Sequence, residues 1–205
     1  MGKVVILGGN ARSGKTTLAF KLVKKGYSRI SLDNLETYIT DGLNIDFDSY
    51  TAETKLNFFK TIVENAYEES KSYDTNIVID MYDYLPCDLE KIDGIDKSNV
   101  YFLIYPNSSK EEIKYGVVHY AKSTDWIAQV NENYLNECVD RFYERNKIVL
   151  EQCKQYGYKY VDTTIGETRN NILETLINEI HKKILVFHYL IQRQGCSHIL
   201  VFLWN

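Results

Sequence analysis

An α/β fold, with a five-stranded parallel sheet covered by helices on both faces, is the architecture this sequence predicts. Three observations lead there. Short apolar runs rich in β-branched residues recur along the chain, and segments with apolar residues at helical spacing separate them. The first run also ends in a glycine-rich turn that opens directly onto a helix, the mark of a strand feeding a right-handed crossover.

Residues 3–7 (KVVIL) form a continuous apolar run closed by Gly8 and Gly9, as a strand buried on both faces requires. Residues 14–25 place Leu18, Ala19 and Leu22 on one helical face, with Gly26 positioned as a C-cap. A short strand is expected at residues 29–32. A helix follows at 51–70, where Leu56, Phe59, Ile62, Val63 and Ala66 make one stripe. Residues 76–79 (NIVI) and 100–104 (VYFLI) read as the third and fourth strands. A long helix carrying Leu135, Val139, Phe142, Ile148 and Leu150 leads to a fifth strand at 158–161. A last helix at 167–182 carries Ile172, Leu176, Ile177 and Ile180.

The chain has 205 residues, 44% apolar and 25% charged, which suits one globular domain and excludes a wholly disordered or fibrous chain. Lys and Arg total 24 against 28 Asp and Glu, a net charge of -4. That balance argues against a general nucleic-acid binder, which needs a basic face, but leaves room for a local cationic pocket. Cys87, Cys138, Cys153 and Cys196 form no C-x-x-C pair, and His119, His181, His188 and His198 show no zinc spacing. Free thiols in a reducing compartment are therefore expected. The opening MGKVVILGGN has too short an apolar run for a signal peptide, and no stretch reaches the length of a membrane span. The expected location is the cytoplasm.

Residues 184–191 (ILVFHYLI) and 199–204 (ILVFLW) repeat the tetrapeptide ILVF around a polar, Gly-containing turn. This extension, 184–205, is set apart from a domain at 1–183. It reads as a hairpin, or for its first run as a continuation of the last helix. A flap over the core and a homodimer contact are both open to it.

Gly9, Asn10, Ala11, Arg12, Ser13, Gly14, Lys15 and Thr16 match G-x-x-x-x-G-K-[ST] in full, with Thr17 continuing into the helix. The glycines let backbone N–H groups curl inward around an anion, and the helix adds the positive end of its dipole. Lys15 would reach the β- and γ-phosphates, and the Thr16 hydroxyl would ligate Mg²⁺. The predicted architecture is thus a three-layer P-loop NTPase-like fold. On this motif the chain resembles the P-loop small-molecule and nucleotide kinases with an adenylate kinase-like core, over residues 3–180, closely at 9–16 and loosely elsewhere. The resemblance implies ATP with Mg²⁺, transfer of the γ-phosphoryl group and a mobile lid at about 107–131. The GTPase branch fits badly: no Asp has Gly three residues later, and residues 146–149 (NKIV) lack the Asp of N-K-x-D.

Asp33 ends the second strand where, in kinases of small hydroxyl compounds, an Asp faces the acceptor. The resemblance makes it a base or orienter; the alternative is a helix N-cap with Glu36 as its capping-box partner. Asp80, closing NIVI, stands where a carboxylate supports the metal, with Asp83 three residues on; a solvated turn is the other reading of both. Residues 80–86 (DMYDYLP) depart from D-G-x-P-R, which puts a nucleoside monophosphate acceptor in doubt. Arginines stand only at 12, 29, 141, 145, 169 and 193; the lid offers Lys110, Lys114 and Lys122 instead. Arg141 and Arg145, four apart on one helical face, would neutralise the transferred group, or else form an ion-pair face with Glu137 and Asp140. Trp126, after Asp125, is expected in the core, with stacking on a substrate as the alternative. Residues 161–164 (VDTT) stand where adenine would meet backbone. The expectation is a kinase phosphorylating the hydroxyl of a small metabolite. The alternatives are a nucleoside or nucleotide kinase, or an ATP-binding assembly protein with slow hydrolysis.

Overall fold

The computed structural model describes residues 2–121, 123, 125–164 and 168–193, with side chains described as far as His181. Five strands form one parallel sheet in the order β2-β3-β1-β4-β5: β1 (Val4–Gly9), β2 (Tyr27–Ser31), β3 (Asn76–Asp80), β4 (Val100–Ile104) and β5 (Lys159–Asp162). The order turns about β1, so the carboxyl ends of β3, β1 and β4 lie side by side, the position at which open α/β sheets bind ligands.

Period-two alternation decides which helices cover which face. Ile6, Ile77, Ile79, Phe102 and Ile104 meet Phe59, Val63 and Ala66 of α3 (Ala52–Tyr73), together with Val149 and Cys153 of α6 (Glu132–Tyr156). Val5, Leu7, Val78, Tyr101 and Leu103 meet Leu18, Ala19 and Leu22 of α1 (Lys15–Val23), together with Leu173, Leu176 and Ile177 of α7 (Arg169–Arg193). β1 and β4 are buried at every position. Two-sided burial is why both read as unbroken apolar runs.

Three further helices join these elements. α2 (Leu32–Thr37) follows β2 without a loop, and α4 (Pro86–Leu89) carries Pro at its start. α5 (Lys110–His119) opens with a capping box, Ser109 to the Glu112 N–H and Glu112 back to the Ser109 N–H. Its Ile113 and Val117 join Ile127, Leu135, Val139 and Phe142 in a third apolar cluster around Tyr105.

Two expectations change. Ser31 occupies the N-cap of α2 and Asp33 lies inside the helix, so the capping reading of Asp33 does not hold. The hairpin reading of 184–191 also gives way: α7 runs on through these residues to Arg193, because no Gly or Pro interrupts the chain before Gly195. The second apolar run, 199–204, lies outside the described residues. Among those described, no helix is long and apolar enough to cross a membrane.

Candidate active site

Every group of the site is set by the carboxyl end of a strand or the helix after it. β1 delivers Gly9 at φ 121, where a Cβ would lie 2.1 Å from the Leu103 carbonyl oxygen. Only glycine lets the loop leave the sheet this close to β4. Asn10 anchors the loop: its side-chain amide donates to the Phe142 carbonyl at 2.6 Å, and its Oδ1 accepts the Ala11 N–H at 2.9 Å. Tyr105 donates to the Ala11 carbonyl at 2.8 Å. Arg12 takes a left-handed conformation at φ 60 and Gly14 at φ 97, the reversal that curls the loop over the start of α1. No side chain caps α1, and the Ser13 hydroxyl is buried without a hydrogen-bond partner in the protein. Such a helix end is suited to an anion.

Lys15 is buried and bends back to donate to the Asn10 carbonyl at 2.6 Å. Its pKa is lowered to about 8, chiefly by burial, with Arg145 acting in the same direction and Asp33, Asp80 and Asp83 opposing them. The Thr16 hydroxyl lies 3.3 Å from Asp80 Oδ2. Asp80 is 3% exposed, and both of its oxygens accept from Arg29, Nε to Oδ1 and Nη2 to Oδ2 at 2.9 Å each. Asp33 opens toward Lys15 and Tyr82; enclosure by protein atoms raises its pKa, against the opposing pull of Lys15. Glu36 is pushed up to about 8 by burial and by Asp83, with which its carboxyl shares a hydrogen bond.

Two cavities meet at Arg12, Lys15 and Thr16. One, of about 320 Å³, runs from Ser13, Gly14 and Thr17 to Gly116 and Tyr120 of α5 and Arg169, Asn170 and Leu173 of α7. The other, of about 510 Å³, lies over Asp33, with Tyr82, Asp125, Trp126, Tyr134 and Arg141 as its walls.

Among solved structures, the chain is similar to a shikimate kinase from Bacteroides thetaiotaomicron, with a TM-score of 0.52 and 19% identity over 89% of this chain and 98% of that one. The fold is a P-loop kinase fold. A thymidylate kinase from Candida albicans aligns with a TM-score of 0.49 and 19% identity, over 89% of this chain and 92% of that one. No family model and no curated protein sequence matches the chain.

Within this fold the expected residues fall as follows. Lys15, Thr16 and Asp80 converge at the end of β1 and β3, and Asp33 faces them. Arg141 lines the larger cavity, with its guanidinium 3.1 Å from Cys138 Sγ and 5.5 Å from the centre of the Tyr134 ring. Arg145 lies behind that wall, donating to the Tyr82 carbonyl and stacked 4.5 Å over its ring. Asp140 instead forms an ion pair with Lys110 at 2.6 Å. Trp126 stays out of the core, 54% exposed. The smaller cavity is closed by Gly116, Tyr120 and Arg169 rather than by residues 161–164. Sequence reasoning passed over Arg29 and Arg169. Arg29 stands two residues before Ser31, the partner of Asp80 in the β2–β3 register, so only knowledge of the strand order would have paired them. Arg169 donates through Nε to the Thr163 carbonyl at 3.1 Å, while one terminal nitrogen is buried without a hydrogen-bond partner in the protein.

Proposed function

We propose that this protein is an ATP- and Mg²⁺-dependent kinase that transfers the γ-phosphoryl group to the hydroxyl of a small metabolite. The observation that carries this reading is the meeting of two cavities at Lys15 and Thr16, one along the phosphate loop and the other over a carboxylate, Asp33. Phosphoryl transfer needs this layout, with donor and acceptor in line on either side of one cationic point.

The triphosphate would lie along the loop amides and the start of α1, displacing the Asn10 carbonyl from Lys15. Its adenosine end would fill the smaller cavity beside Gly116 and Arg169. Thr16 and Asp80 supply hard oxygen donors suited to Mg²⁺, which takes few protein ligands and keeps phosphate and water. Asp80, held on both oxygens by Arg29, would act through water. The metal, when bound, supplies charge neutralisation at the phosphates.

In the transfer, the acceptor oxygen forms a bond to the γ-phosphorus, the bond from that phosphorus to the β–γ bridging oxygen breaks, and ADP leaves. The acceptor's proton passes to Asp33, whose carboxyl lines the acceptor cavity beside Lys15 and has its pKa raised by its surroundings. Lys15 neutralises the charge on the transferring group. Residues 107–131 supply walls to both cavities, Gly116 and Tyr120 on one side and Asp125 and Trp126 on the other, so their closure would seal the donor and acceptor together. The Arg12–Asp125 ion pair, at 2.9 Å, already ties this segment to the phosphate loop.

The test is ADP release from MgATP across a panel of hydroxyl metabolites. Asp33→Asn is expected to lower kcat roughly 10²–10⁴-fold on any acceptor found, with the KM for ATP unchanged. Full turnover by Asp33→Asn would remove Asp33 from the chemistry.

A further inference from the structure

We propose that the acceptor is an unphosphorylated hydroxyl compound built on a flat ring, seated in an aromatic corner made by Trp126, Tyr134 and Tyr82. This inference rests on the phosphoryl-transfer reading above and names the substrate class of its acceptor cavity.

The corner follows from how its residues are anchored. Ile127 and Leu135 are buried in the third apolar cluster, at 4% and 7% exposure, and fix the short helical turn Trp126–Gln129 and the first turn of α6. Their neighbours are thereby turned outward: Trp126 is left 54% exposed and Tyr134 41%. Rings of this size gain most from burial, and both keep part of their surface open on the cavity wall, although Arg141 already lies 5.5 Å from the centre of the Tyr134 ring. They stand edge to face, centres 6.4 Å apart and planes at 74°, so the two rings form a corner on the cavity wall. A flat ring of the ligand satisfies both at once, by stacking on one and meeting the edge of the other. Asp33 and Lys15 line the same cavity, so a hydroxyl carried on such a ring faces the transfer point.

The guanidinium groups of the site are engaged, Arg141 among them through Cys138 Sγ and the Tyr134 ring, which argues against a second phosphate on the acceptor. Arg12 is paired with Asp125, Arg29 is taken by Asp80, and Arg145 by the Tyr82 carbonyl and ring. A phosphorylated acceptor needs free guanidinium forks. What the wall offers instead, beyond Asp33, is aromatic surface with Arg141 at its edge.

The experiment uses the full chain with Trp204→Phe, so that Trp126 is the one tryptophan reporting. ADP release, the phosphorylated product and Trp126 fluorescence are followed with three acceptor sets: nucleosides and aryl alcohols, nucleoside monophosphates, and aliphatic polyols such as glycerol and inositol. The expected result is turnover within the first set, with quenching of Trp126. In the chain that keeps Trp204, Trp126→Ala is expected to raise the acceptor KM about ten-fold at unchanged KM for ATP, and Trp126→Phe to restore it. Turnover confined to monophosphates or polyols, or an acceptor KM indifferent to Trp126→Ala, overturns the inference and leaves the kinase reading standing. ADP release stimulated by no acceptor of any set overturns both.

Discussion

Arg29 and Asp80 form the most consequential pair that the sequence left unjoined. Asp80 is buried and both of its oxygens are taken by one guanidinium, which also lies 4.6 Å over the Phe20 ring. Removing the cation leaves a buried carboxylate unpaired beside Thr16, so Arg29→Ala is expected to cost roughly 3 kcal/mol, measured by urea unfolding. An unchanged midpoint would mean that Asp80 is satisfied without it. Glu36 makes the opposite case, a carboxyl held among like charges. Its folded pKa of about 8 lies above the ordinary 4.5, so the folded state keeps an extra proton between these values and loses stability as pH climbs through that window. Glu36→Gln removes the penalty. Because Glu36 is only half-buried the gain is screened to about 1 kcal/mol, or a Tm rise of about 2–4 °C at pH 8 that vanishes near pH 4, read by calorimetry. A gain equal at both pH values would contradict the charge argument.

At the scale of elements, what was legible in the sequence was what is local or buried on both sides. Val100–Ile104 coincides with its apolar run because both faces of β4 are covered, and the phosphate loop was readable because its eight positions are contiguous. Elements defined by chain-distant contacts escaped. The walls of both cavities come from α5, α7 and the turn at Trp126–Gln129, whose roles depend on which strand neighbours which. Trp126 was expected inside because large aromatics usually bury; it is Ile127, one residue on, that takes the core position. α6 is the element on which the acceptor wall rides, carrying Tyr134, Arg141 and Phe142 behind an N-cap at Asn131, whose side chain accepts the Tyr134 N–H at 3.0 Å. Asn131→Ala is expected to cost about 1 kcal/mol by thermal unfolding. A neutral result would show that water or neighbouring chain satisfies that helix end equally well.

For the whole molecule, the sheet order sets the chemistry's place. Because the strands turn about β1, the phosphate loop, the Arg29–Asp80 pair and Asp33 gather at one edge, while the two apolar layers behind them hold that edge fixed. The helices that follow the strands then enclose it from both sides, giving one cavity along the loop and one over the carboxylate. The most direct measurement is a calorimetric titration of the full chain with ATP in the presence of Mg²⁺, repeated on Lys15→Ala. Saturable binding is expected, weakened about ten- to hundred-fold by the substitution, as loss of a charged hydrogen bond to phosphate requires. Absence of binding, or an affinity that Lys15→Ala leaves untouched, would contradict the account.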